Sequence, residues 1–243
     1  MKVNQILFNL SSRPIKKSLW ICIFLFAFCS LQNINVSNLR FQSVKKFDTI
    51  EYAQSVRNRS QIELIKEVDD FIKTQFPKSK LSAKNLVEKC LKYNMDITFV
   101  LSQGIIESHL GTEGIAKKTN SVWNVGTYDN GKVLYTYNHP DESVEPYLIL
   151  LKDMYLIKII KKDTIKRDIN SLITDNGFYN INGHRFAVFK NYENSIRIVM
   201  VCINNKTTIS AYQKIIELND SIILNTFAPL NNKELKYLKT VKI

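Results

Sequence analysis

Residues 96–111 read DITFVLSQGIIESHLG, an apolar run that carries a single glutamate, Glu107. The spacing predicts a helix from about Asp96 to Leu110, stopped by Gly111. On that helix Gln103 and Glu107 are four apart and share a face, and Phe99, Ile106 and Leu110 flank them within one turn. Apolar surroundings disfavour the charged form of a carboxylate, so this setting should raise the Glu107 pKa and let the group hold a proton near neutral pH. A protonated acid beside a cleft is what glycoside cleavage needs, because the leaving oxygen must receive a proton as its bond breaks. Spacing alone also allows the ordinary alternative, in which Glu107 faces water from an amphipathic helix, as most charged residues do.

Outward from this helix the chain continues to read as helical. Upstream, Ile62, Leu64, Ile65, Val68, Phe71 and Ile72 recur at helical spacing from Gln61 to just before Pro77. A second helix fits Ser82 to Lys92, with Ser82 as its N-cap and Leu86, Val87, Cys90 and Leu91 inward. Residues 119–140 change character: Asp129-Asn130-Gly131 stands between short runs containing Trp, Val and Tyr, a hairpin signal. Helical spacing resumes over Asp141–Tyr155, Thr164–Thr174, Tyr192–Asn204 and Ser210–Asn225. The expectation is a mainly α fold, a helical bundle domain interrupted by a small β-hairpin lobe. No repeat suggests a solenoid, and all seven glycines fall between Gly104 and Gly183, so the tight turns gather there.

The two ends differ from the middle. Of the net charge of +12, residues 1–50 carry seven basic side chains against Asp48, and residues 228–243 carry four lysines against Glu234. Residues 51–205 hold 21 basic and 18 acidic groups, an ordinary globular balance. Such basic ends suit a polyanion, a cell wall or lipid headgroups, or are simply a solvated surface. No aromatic residues interleave with the terminal lysines, so nucleic acid is not expected as a partner. Near the start, Arg13, Lys16 and Lys17 precede the apolar segment Leu19–Leu31. Thirteen residues fall short of the ~20 that span a bilayer but suit the core of a signal peptide. Ala27-Phe28-Cys29 is only a loose cleavage site, which leaves an uncleaved anchor open. The expected organisation is a signal or membrane anchor over 1–31, a polar spacer over 32–60, a domain over 61–205, and an accessory helix with a basic tail over 206–243. Cys90 and Cys202 would lie in the folded part, paired or as free thiols. The three histidines, His109, His139 and His184, show no ligand spacing, so neither metal nor cofactor is expected.

Several segments together carry a resemblance. FVLSQGIIESHLGTEGIAKKTNSVWNVG, residues 99–126, resembles the signature of the bacterial and phage glucosaminidase family, glycoside hydrolase family 73. Its members read like A-Q-A-x-x-E-S-x-x-G followed by K-x-N-N-L-F-G. Gln103, Glu107, Ser108 and Gly111 fall on the first part, and Asn120, Ser121, Val122 and Trp123 on the second. YNHPDESVEPYLILL is similar to the family's Y-x-S-x-x-E-S-x-x-D-Y-x-x-L-L, and GHRFAVFKNYENSI to its G-R-Y-A-x-x-x-x-Y-x-x-x-I. The likeness covers residues 60–205 in the expected order. It implies an α+β lysozyme-like fold, action on the glycan strands of peptidoglycan, and Glu107 as general acid.

The resemblance departs in two places. The family's longer β-lobe carries a second carboxylate; here Asp129 is the nearest, at a position where a tight turn favours Asp for backbone reasons alone. Asp141 and Glu142 are better explained as an N-cap and a first-turn charge. Phe186 stands at the family's tyrosine and cannot donate a hydrogen bond, which leaves Tyr192 or Tyr179 to supply a hydroxyl. Gln103, Ser108, Asn120, Trp123, Tyr128, Tyr137, Phe186 and Tyr192 are the expected substrate-binding residues, the aromatic faces by stacking on sugar rings. With one firm carboxylate, three chemistries remain open: hydrolysis aided by the substrate's N-acetyl group, water activated by another base, or transglycosylase-like cleavage. The expected protein is an exported or membrane-anchored endo-β-N-acetylglucosaminidase of the cell envelope. Its rivals are a muramidase or lytic transglycosylase and a non-catalytic wall-binding protein.

Overall fold

A computed structural model describes residues 48–127, 132–160, 163–174, 178–187, 189 and 191–227. The apolar segment, the spacer up to residue 47, Tyr128, Asp129 and the basic tail lie outside the described residues. The chain divides into two units, Met1–Tyr52 and Ala53–Ile243, and the second holds the core and the site.

The architecture is mainly helical. Helix α1 covers 48–75, followed by α2 (Ala83–Tyr93), α3 (Ile97–Ser108) and the short α4 (Ala116–Thr119). A 3-10 turn, Pro140–Ser143, runs into α5 (Val144–Leu150) and then a π turn, Leu151–Tyr155. Strands β1 (Ile157–Ile160) and β2 (Asp163–Lys166) precede α6 (Ile169–Thr174), α7 (Tyr192–Lys206) and α8 (Ile209–Phe227).

Helix α3 is the centre of the core. Every residue from Ile97 to Gly104 is buried, so this helix is enclosed on all sides, as an all-round apolar helix must be. Asp96 caps its start by accepting from the Phe99 N–H at 2.9 Å. Three successive residues of left-handed backbone, His109, Leu110 and Gly111, end it two residues earlier than the spacing predicts. Gly104 lets the chain from Leu110 to Trp123 close onto the helix. A Cβ there would stand 2.9 Å from Leu110 Cδ2 and 3.1 Å from Trp123 Nε1. Around α3 lie Leu86, Val87 and Cys90 of α2, Tyr147 and Leu148 of α5, and Tyr192 and Ile196 of α7, all buried.

The structure corrects three expectations. Residues 48–60, read as spacer, are helical. Their inward positions are the small Ala53 and Ser60, both buried, and Arg57, which pairs with Asp220 at 2.7 Å. Such residues carry almost no hydropathy signal. Thr164–Lys166, expected to open a helix, is strand, paired antiparallel with Ile157↔Lys166 and Ile160↔Asp163 in register. β-Branched Ile157, Ile159, Ile160, Thr164 and Ile165 favour that pleated pairing. Of the hairpin expected over residues 119–140, the described residues show the antiparallel bridge Thr127↔Val133, and its turn, residues 128–131, lies outside them. Asp141 is not the N-cap of its own turn. That place is taken by His139, whose Nδ1 accepts from the Asp141 N–H at 3.3 Å. The Asp141 carboxylate instead accepts the Ser82 N–H at 2.7 Å and joins the start of α5 to the start of α2.

The Ser82 N-cap of α2 forms as expected. Cys90 is buried and Cys202 exposed, and both are free thiols, which settles the pairing left open above. Among the described residues, no helix is long and apolar enough to cross a membrane.

Candidate active site

Glu107 occupies the last turn of α3, where the helix reaches the wall of a groove of about 720 Å³. Ile106, Ile115, Val125, Leu150, Phe186 and Phe189 supply apolar side chains to its lining, and Asn124, Thr127, Tyr155 and Tyr192 supply polar ones, so the groove is of mixed character. The side chain is half-buried. Tyr192, the first residue of α7, donates its hydroxyl to Glu107 Oε1 at 2.6 Å. Asn124 Nδ2 donates to Oε2 at 3.1 Å and also to the Glu107 backbone carbonyl at 3.0 Å.

Burial raises the Glu107 pKa, and the hydrogen bonds from Tyr192 and Asn124 pull it part of the way back. The opposition is chemically useful. Desolvation shifts the carboxyl toward its protonated form, and two fixed donors stand ready for the carboxylate left once a proton departs.

A chain of hydrogen bonds behind Glu107 fixes the direction of these donors. Gln103 is fully buried. Its Oε1 accepts from the Tyr147 hydroxyl, and its Nε2 donates to the Tyr192 oxygen at 3.1 Å. Because an amide nitrogen can only donate, the Tyr192 oxygen must accept from Gln103 and direct its own proton to Glu107. Tyr147 is held in turn by Trp123, whose ring stacks on it at 4.4 Å between centroids. The indole of Trp123 donates to the Val100 carbonyl at 3.0 Å. Burial raises the pKa of both Tyr147 and Tyr192 far above the usual phenol value, and the negative charge of Glu107 raises them further, so both remain donors.

The other expected binding residues divide between wall and groove. Ser108 is buried, accepts from the Gly111 N–H at 2.7 Å and donates to the Val122 carbonyl at 2.6 Å, so it ties the helix end to the next loop. Asn120 donates to the carbonyls of Tyr137 at 2.8 Å and Asn138 at 3.3 Å, anchoring the returning chain segment. Gln103 and Ser108 therefore act inside the wall rather than on its surface. Trp123 is only 1% exposed and reaches the groove at its edge, so core packing accounts for most of it. Tyr137 is half-buried beside Tyr135 and does not line the groove. Phe186 does line it, packed against Tyr192 at 5.8 Å and Phe178 at 4.8 Å between centroids. Of the two hydroxyls offered in its place, Tyr192 reaches Glu107, while Tyr179 forms a backbone bridge with Arg185. Tyr128 and the second candidate acid, Asp129, lie outside the described residues.

Sequence reasoning missed Asn124, Thr127 and Tyr155. Asn124 had one legible signal, an Asn-Val-Gly sequence suited to a turn, and it adopts left-handed backbone at φ 54°. Tyr155 had none, because its aim depends on the π turn that widens the end of α5.

A second concavity, about 840 Å³, lies among α2, the π turn, β2, α6 and α8. It is larger, but its carboxylates are mostly committed elsewhere. Asp96 and Asp168 hold helix-start amides, and Glu217 accepts from Gln213. In the groove at Glu107, by contrast, that residue is the sole carboxylate among the described lining residues, and no cation is paired with it there. Among the described residues no three His, Cys, Asp or Glu side chains gather as a metal site would require. No protein-family model matches the chain, and no curated protein matches it in sequence.

Proposed function

We propose that the protein is a peptidoglycan hydrolase of lysozyme-like architecture that cleaves β-1,4 bonds of the glycan strand, as an endo-β-N-acetylglucosaminidase, with Glu107 as general acid. One observation carries the reading: a carboxyl whose pKa is raised by burial lines a groove of about 720 Å³, with hydroxyl and amide donors on its oxygens. Proton transfer from Glu107 to the bridging oxygen starts the cleavage. The carboxylate formed is then held by Tyr192 and Asn124. An exported enzyme, carried out by its N-terminal apolar segment and held near an anionic wall by its basic ends, fits the charge distribution.

That Glu107 has no second carboxylate beside it among the described lining residues favours a second reading within the class, cleavage by a muramidase or lytic transglycosylase. Mass spectrometry of released muropeptides separates the readings, because it identifies the sugar at the new end and any anhydro product. A turbidity assay on purified cell walls comparing wild type with Glu107→Gln tests the whole proposal. Loss of clearing in the variant is expected. Equal clearing by both proteins would remove Glu107 as the general acid, and no clearing by either would remove the enzyme reading and leave a wall-binding one.

A further inference from the structure

The larger concavity, about 840 Å³, collects five cations from parts of the chain far apart in sequence. Lys92 comes from the last turn of α2, Lys152 from the π turn, Lys166 and Arg167 from the end of β2 and the position after it, and Lys214 from α8. Lys92 is matched by the Glu145 carboxylate at 2.7 Å. Among the described residues Lys152, Lys166, Arg167 and Lys214 form no ion pair. Arg167 donates to the carbonyls of Tyr179 and Ser171, both at 3.4 Å, and Lys152, Lys166 and Lys214 are exposed.

The four carboxylates of the lining face mostly toward the chain's own donors. Asp96 and Asp168 accept the N–H groups of Phe99 and Ser171 at helix starts, and Glu217 accepts from the Gln213 amide. Asp153 remains as the lining carboxylate without such a bond among the described residues. Unpaired positive charge thus converges on one concavity from three separate elements, and a concave cationic surface concentrates anions.

The surroundings narrow the kind of anion. Three of the four unpaired cations are lysines, which bind phosphate as mobile point charges, whereas the planar fork suited to carboxylates is present once, in Arg167. Charges spread over the π turn, β2 and α8 match an anion whose own charges repeat along a chain. A planar bilayer meets flat or convex surfaces, not the inside of a concavity. Single-stranded nucleic acid needs free aromatic faces on which its bases stack. The aromatic ring in this lining, Tyr93, has the Lys92 and Lys152 ammonium groups over it, at 5.0 and 5.7 Å from its centroid.

We propose that this concavity binds a strand of a flexible, non-aromatic phosphodiester polymer, with successive phosphates meeting Lys152, Lys166, Arg167 and Lys214. It shares no lining residue with the groove at Glu107, so the assignment stands apart from the glycan-cleaving reading. The folded domain would then hold an anionic polymer through a shaped site of its own, in addition to whatever the basic ends attract.

The test titrates the full chain calorimetrically with poly(glycerol phosphate) over a range of salt concentrations. The triple variant Lys152→Gln, Lys166→Gln, Lys214→Gln should lose at least about tenfold in affinity at about 0.15 M salt, and the slope of log affinity against log salt should flatten by about two to three, close to one for each phosphate contact removed. A control with the same loss of charge, Lys78→Gln, Lys80→Gln, Lys117→Gln, lies outside the concavity and should stay within about twofold of wild type. Thermal melts check that both variants fold. Equal losses in the two variants would reduce the effect to net charge and overturn the inference, and so would unchanged affinity in the first. Vesicles of phosphatidylglycerol supply the same phosphate chemistry as a surface, and wild type and the first variant should bind them equally. A matching loss on vesicles would assign the cations to lipid headgroups and overturn the polymer. None of these outcomes bears on wall clearing by Glu107→Gln, which tests the other groove.

Discussion

Glu107 and Glu145 are glutamates on helices of one core, yet their surroundings push them in opposite directions. Glu107 lines the groove together with Ile106 and Phe186, and burial raises its pKa. Glu145, in the first turn of α5, accepts from Lys89, Lys92 at 2.7 Å and the Tyr93 hydroxyl at 2.7 Å, which hold its carboxyl down at about 2. Neutral donors alone steady Glu107; cations charge Glu145. One carboxylate is thus shifted toward its protonated form, while the other, ionised, fastens α5 onto α2, and the difference lies in whether water and cations reach the group.

The strongest way to break this contrast is Glu107→Gln. Wall clearing should fall by about 10²–10⁴-fold, the usual worth of a general acid, measured as initial turbidity loss. The same variant sharpens the contrast in stability. A raised pKa means that the folded chain holds this proton more tightly than the unfolded one above the ordinary value of 4.5. Wild type should therefore lose stability relative to Glu107→Gln as pH rises from 4.5, with little difference below it; thermal melts across pH measure this.

Tyr192→Phe should have the next largest effect. It leaves buried Gln103 Nε2 without its acceptor and removes a donor from Glu107, at about 1–3 kcal/mol by denaturant unfolding. Losing a bond that lowers the Glu107 pKa should also move the alkaline limit of activity to higher pH. Gly104→Ala tests how closely the wall behind the acid is packed. Its methyl would meet Leu110 and Trp123, with an expected loss of about 1–3 kcal/mol and slower clearing as Trp123 shifts against Tyr147.

Glu145→Gln should be the mildest. Its partners are partly exposed, so the unfolding temperature should move by no more than about 3 °C near pH 7. A lowered pKa contributes stability that is present above the ordinary value of 4.5 and lost as pH falls toward about 2, so the difference from wild type should vanish in acid. Wall clearing should be unchanged.

The helices around the acid were legible where long apolar side chains mark the period. Leu86, Val87 and Cys90 of α2 and the run from Ile97 to Leu101 of α3 point inward as their spacing requires. Legibility failed where inward positions are small or polar, as at Ala53 and Ser60 of α1, and where β-branched residues decided between strand and helix, as at Ile157–Lys166. At the site, Glu107 was legible because a carboxylate amid isoleucines is costly unless it is used. Gln103 was singled out for substrate and proved to serve Tyr192 from inside the wall, since spacing reports a shared face but not what covers it.

By itself, then, the sequence determined a mainly helical chain with one carboxylate placed among apolar neighbours on its most buried helix, because apolar periodicity and local capping are written in adjacent residues. The tertiary structure decided what surrounds that carboxylate. Tyr192 lies 85 positions away and Asn124 17 away, and they meet Glu107 only when α7 packs on α3 and the turn at 124–127 closes. Desolvation and hydrogen-bond direction, which set the acid's chemistry, are properties of that packing and have no counterpart in the order of residues.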